Sequence, residues 1–178
     1  YPQDIVQNRI GWITDRFDND YKKIEDVADI LSGLNISDYG DRTSALFTRW
    51  DRDGPSMTAL TAWATDHFRL NSNGPEIQAV LIAAILADIP NDLLYHGNNH
   101  YRKVMFHIIR LMATHRDQNF SGYPALHDED ILKMLIAAAI HDLGHEGGDN
   151  LRDGIYTPGY MEQKACDMIR PYLESLGI

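Results

Sequence analysis

Cysteine is nearly missing from this sequence: Cys166 is the only one in 178 residues. An internal disulfide and a cysteine-based zinc cage are therefore excluded, and a reducing, cytoplasmic setting is the expectation. Long apolar runs are missing as well. The longest, residues 79–87, has nine residues, against the roughly 20 needed to cross a bilayer, so no membrane span is expected. No charged segment followed by an apolar stretch opens the chain, which argues against an attached secretory signal. Basic charge is scarce: 16 Lys and Arg face 26 Asp and Glu, for a formal net charge of −10. Duplex nucleic acid needs a basic face to neutralise its phosphates, so it is not an expected partner. Strand-like alternation, internal repeats and low-complexity tracts are lacking too.

What is present is helical periodicity in one domain's worth of chain, residues 1–178. Val6, Ile10, Ile13, Phe17, Tyr21, Ile24, Val27 and Leu31 step by three and four, predicting a long N-terminal helix that ends at Gly33 and a polar stretch over 35–43. The turn residues Asp53, Gly54 and Pro55 precede a predicted helix over 56–70. Pro75 suits the first position of the next helix, which is apolar on nearly all sides up to Pro90. Further helices are predicted over 95–115, with Val104, Met105, Ile108, Leu111 and Met112 inward, then over 131–143 and 159–176, with Pro171 as a kink. Asp128, Glu129 and Asp130 place negative charge at the start of the 131–143 helix, where its dipole favours it. The class is all-α. Residues 1–72 read as N-terminal helices with a regulatory or packing role, and 73–178 as the core that carries the chemistry.

Eight histidines occur, and half of them fall in two tight groups. In Tyr95-His96-Gly97-Asn98-Asn99-His100 the two imidazoles are four apart and would share one face of a helix. The second group is His141-Asp142-Leu143-Gly144-His145-Glu146-Gly147-Gly148-Asp149-Asn150, directly after the apolar residues 134–140. A carboxylate at the end of a buried helix is costly unless it is paired or holds a metal. Imidazole and carboxylate together suit Zn, Mn, Fe or Ni, and a shared carboxylate can bridge two ions. Two ions about 3.5–4 Å apart can hold and deprotonate a water for attack on phosphorus. Each element also has a plain reading. A histidine pair four apart arises by chance on many helices, and His145 before glycines suits a helix C-terminus. His107 reads as a hydrogen-bonded core residue, Trp12, Trp50 and Trp63 as packing residues, and the acidic stretch 15–29 as a solvated helix face.

The two groups in this order resemble the HD-domain metal-dependent phosphohydrolases, most nearly the catalytic domain of 3',5'-cyclic-nucleotide phosphodiesterases. Those carry Tyr-His-Asn-x-x-His and, 30–40 residues on, His-Asp-x-x-His-x-Gly-x-x-Asn. The resemblance covers about residues 79–150. It implies a multi-helix bundle in which His100, His141 and Asp142 ligate metal, Asp142 bridging two divalent ions (Zn, Mn, Mg or Fe). It also implies His96 as the general acid for the leaving oxygen and His145 as a partner of metal-bound water. The expected substrate is a cyclic nucleotide or related phosphoester. The chain departs from the pattern at Gly97, Lys103 and Gly144. The family also uses a further Asp on a later helix; Asp149, Asp153 and Asp167 follow Asp142, none at that separation. Either the chain, which begins at Tyr1 rather than Met, is truncated, or the site is incomplete, or another residue substitutes; truncation is the expectation. Two alternatives remain: another HD-type nucleotidase or phosphatase, and a catalytically weak module that binds a nucleotide or a protein.

Overall fold

The computed structural model describes residues 19–32, 36–70, 74–118, 122, 124–148 and 150–178. Among them lie seven helices: α1 (Glu25–Ser32), α2 (Ile36–Asp53), α3 (Met57–His67), α4 (Pro75–Ala87), α5 (Asn98–Gln118), α6 (Asp128–Ile140) and α7 (Tyr160–Ser175). Two short strands, β1 (Leu151–Arg152) and β2 (Ile155–Tyr156), pair antiparallel between α6 and α7. The class is all-α, as the periodicity predicts. None of the helices is long and apolar enough to cross a membrane.

Alanine explains the centre of the bundle. In α4, eight of 13 residues are buried, among them Ala79, Ala83, Ala84 and Ala87. Side chains this small let helix axes approach closely. The helix packs against α6, where Ala138 and Ala139 are buried, and against α3, where Ala59 and Ala64 are buried. Helix α5 closes the other side of α6 with Met105, Ile109 and Met112. One continuous apolar core runs from Ile24 to Tyr172.

The first turn of α3 shows how the bundle handles buried polar groups. A helix start leaves four amides without intrahelical partners. Here Ser56 N–H donates to Asp20 at 3.0 Å, Met57 and Thr58 N–H donate to Asp88 at 2.6 and 3.0 Å, and Ala59 N–H donates to Ser56 Oγ at 3.1 Å. Both carboxylates also meet the positive end of the helix dipole.

Several local expectations are corrected. Asp20 is 1% exposed rather than part of a solvated face, because it caps α3. Residues 36–43 are helical, not a polar loop, since Leu46 and Trp50 further along α2 anchor it in the core. The predicted N-terminal helix is interrupted by a turn at residues 23–24, closed by Lys23 N–H to Asp20 O and Ile24 N–H to Tyr21 O. Its stretch from Val6 to Phe17, like Trp12 and Asp149, lies outside the described residues. On α5, Leu111 is 62% exposed while Phe106 and Ile109 are fully buried, so the inward face is rotated from the predicted one.

Candidate metal centre

Two breaks in helix geometry bring the histidine groups together. The first is the loop between α4 and α5. Asn98 clamps it, its Oδ1 accepting from Asn91 N–H at 2.7 Å and its amide donating to Ala87 O and Ile89 O at 2.8 and 3.0 Å. Asn91 in turn donates to His96 O at 3.0 Å. A Cβ at Gly97 would stand 2.3 Å from Leu93 O, so the loop closes only around glycine. Helix α5 therefore starts at Asn98, and His96 lies in the turn before it rather than on its face. That corrects the expectation of two imidazoles on one helical face.

The second break follows α6, which ends at Ile140, short of the predicted 143. His141, Asp142, Leu143 and Gly144 form turns closed by Leu143 N–H to Ile140 O at 2.8 Å and His145 N–H to Asp142 O at 3.0 Å. Gly144 has φ +74, a conformation that a Cβ would strain, and Met168 Sδ would lie 2.6 Å from that Cβ. Glycine at positions 97 and 144 thus has a steric cause in this fold.

Asp142 is the hub. Its Oδ2 lies 2.8 Å from His96 Nδ1, 3.4 Å from His100 Nε2 and 3.3 Å from His141 Nε2. His145 stacks on His96 with ring centroids 3.6 Å apart. All five residues singled out in the sequence, His96, His100, His141, Asp142 and His145, occupy this one cluster. Two groups of three, His100-His141-Asp142 and His96-Asp142-His145, each hold their ligand atoms within 4.8 Å of one another and share Asp142.

Hydrogen bonding distinguishes the two groups. His141 Nδ1 lies 2.8 Å from Ala138 O, and a carbonyl can only accept, so Nδ1 carries the proton. In the neutral ring a lone pair at Nε2 then faces the Asp142 carboxylate. That Nε2 is buried without a hydrogen-bond partner. In that form two acceptors face each other at 3.3 Å, an arrangement that a metal ion, or a proton on Nε2, would relieve. His145 is the opposite case. Its Nδ1 accepts from Gly147 N–H at 2.9 Å, so in the neutral ring Nε2 carries the proton. His96 donates through Nδ1 to Asp142, which leaves its Nε2 for a second partner.

Burial, followed by the neighbouring His141, holds His100 below the ordinary imidazole pKa; burial and then His96 do the same for His145. A neutral His100 is the form that ligates metal. Two further side chains were not identified from sequence. Tyr101 donates its hydroxyl to the Asp142 carbonyl, fixing the turn; burial, then the Asp142 charge, pushes its pKa up to about 12. Tyr95 stacks on His100 at 5.3 Å while 71% exposed. Its position beside His96 was legible, whereas Tyr101 meets Asp142 across 41 residues with no signal in the pattern.

Other candidates lie elsewhere. Asp153 is in the exposed turn between β1 and β2, and Asp167 pairs with Gln163 and Arg170 on α7. Neither joins the cluster. His107 is exposed rather than the expected core residue, with one side of its ring packed on Phe47 and Phe106, and Cys166 is exposed. Comparison of the chain with models of protein families, with curated proteins and with solved structures gives no match in any of the three.

Proposed function

We propose that the protein is a metal-dependent phosphoester hydrolase centred on Asp142. The observation that carries the reading is the meeting of His96, His100 and His141 on one oxygen of Asp142, with the buried Nε2 of His141 lacking a hydrogen-bond partner. His100, His141 and Asp142 would hold a divalent cation, while His96 and His145 lie beside the same carboxylate as proton-bearing groups. Such an ion would supply charge compensation for phosphate and acidify a water. The chain's own residues do the rest. Asp142 orients His96 through Nδ1, so that a proton on Nε2 can be delivered to a leaving oxygen. Gly147 N–H sets the His145 tautomer so that Nε2 can donate. Tyr101 holds the backbone of Asp142 in place.

The motif resemblance narrows the substrate to a 3',5'-cyclic nucleotide cleaved to its 5'-monophosphate, within an HD-type fold. Other nucleotide phosphoesters use the same metal residues and form the alternative. Hydrolysis of a panel of both classes with Mn²⁺ or Mg²⁺, beside Asp142→Asn, tests the reading. Turnover that disappears in Asp142→Asn supports it; turnover that survives the substitution, or no turnover by a folded, metal-loaded protein, overturns it.

A further inference from the structure

Helix α7 crosses over the turn that carries Asp142 and His145. Lys164 Cε stands 3.7 Å from the position a Gly144 Cβ would take. The lysine therefore hangs over the turn between Asp142 and His145, and its ammonium lies 2.6 Å from the Glu146 carboxylate. The cluster's other neighbouring lysine, Lys103, is engaged elsewhere: it pairs with Asp51 at 2.7 Å and lies over the Phe47 ring. Arg102 is likewise turned to Pro55 O and Asn99.

We propose that Lys164 is a substrate-binding residue, which exchanges Glu146 for an anionic oxygen of the phosphoester held at the Asp142 cluster. This rests on the hydrolase reading and deepens it by naming a protein cation for the phosphoryl group and a built-in competitor for that cation. The exchange is cheap. The Glu146 side chain is 82% exposed and that of Lys164 33% exposed, and ion pairs this open to water contribute little. A phosphoryl oxygen gives the ammonium an equally charge-assisted hydrogen bond. The four-carbon stem and three rotatable donors of lysine let it reach a new acceptor without backbone movement. In the free protein Glu146 keeps the ammonium parked beside His145, so an arriving phosphate must displace it.

Two substitutions separate this role from a structural one, because both break the same ion pair. Lys164→Gln removes the cation, whereas Glu146→Gln removes only its competitor. With bis-p-nitrophenyl phosphate as substrate and Mn²⁺ present, Lys164→Gln is expected to raise KM about tenfold, the effect falling on KM rather than kcat. It should weaken inhibition by inorganic phosphate to a similar degree. Glu146→Gln should do the reverse, lowering KM and strengthening phosphate inhibition. Shifts of both variants in the same direction, or in neither, overturn the role of Lys164 while leaving the hydrolase reading intact. Absence of hydrolysis of both bis-p-nitrophenyl phosphate and the nucleotide panel by the folded, metal-loaded unaltered protein overturns both.

Discussion

Asp88→Asn probes how the fold holds the loop that carries His96. Asp88 ends α4, where that loop begins, and its two oxygens take three hydrogen bonds from the start of α3: Met57 N–H at 2.6 Å, Thr58 N–H at 3.0 Å and the Thr58 hydroxyl at 2.7 Å. An asparagine offers one acceptor oxygen in place of two. Turned one way, its amide N–H₂ faces both Thr58 donors; turned the other, it faces Met57 N–H. At least one buried donor is left without a partner, at about 1–3 kcal/mol, and the surviving bonds lose their charge assistance. Removing the charge gives something back, since burial alone pushes the Asp88 carboxyl above its ordinary pKa. The balance is a loss of about 2–3 kcal/mol, or a fall in Tm of roughly 4–12 °C for a chain of this size. Thermal melts and urea unfolding at pH 7 with an unchanged m value would measure it. Adding Thr58→Val closes a double-mutant cycle, in which a coupling of about 1 kcal/mol is expected for residues in direct contact. A loss under about 0.5 kcal/mol, the range of an ordinary surface change, would refute the reasoning.

Gly97→Ala forces a Cβ to within 2.3 Å of Leu93 O; a cost of about 1–3 kcal/mol is expected, with weaker Mn²⁺ binding because His96 is adjacent. Unchanged Tm and metal affinity would contradict the role given to this loop. His107 supplies a pH dependence. Burial, then Arg110, holds its pKa below the ordinary 6.5, so the folded state binds the proton less readily than the unfolded chain. Stability from this group is full above pH 6.5 and is lost as pH falls through that value toward the depressed one. Urea midpoints at about pH 7.5 and 5.5 should therefore differ less in His107→Gln than in the unaltered protein; equal differences would count against the assignment. Tyr101→Phe removes the hydroxyl that holds the Asp142 carbonyl. It should cost about 1 kcal/mol in Tm-derived stability and loosen metal binding, and a silent substitution would show the turn holds without it.

Much of the helical class was legible because burial sets its own period. Beyond Glu76 and Gln78 near its start, α4 is apolar on nearly all sides, and a helix with so little polar surface belongs in the core. The cluster residues were legible by type and order, yet not by placement. His96 leaves the helix because Gly97 must pass close to Leu93 O and Asn98 must cap the loop behind it. Asp20 reads as one more acid in a charged stretch, and only the distant Ser56 amide gives it a buried purpose. The strands β1 and β2 had a local signal that alternation over longer windows misses. Asp153 and Gly154 both have positive φ, 52 and 79, the type I′ turn that an Asp-Gly pair favours. Lys164 stands near His145 only through the crossing of α7, which no local pattern encodes.

Equilibrium dialysis against Mn²⁺ tests the central claim most directly, with the unaltered protein beside Asp142→Asn. Asp142 makes the shared contacts to His96, His100 and His141, so the account expects at least one tightly held ion per chain in the unaltered protein and none in the folded variant. Retention of the ion by Asp142→Asn, or no ion in the unaltered protein, would contradict a metal centre built on that carboxylate.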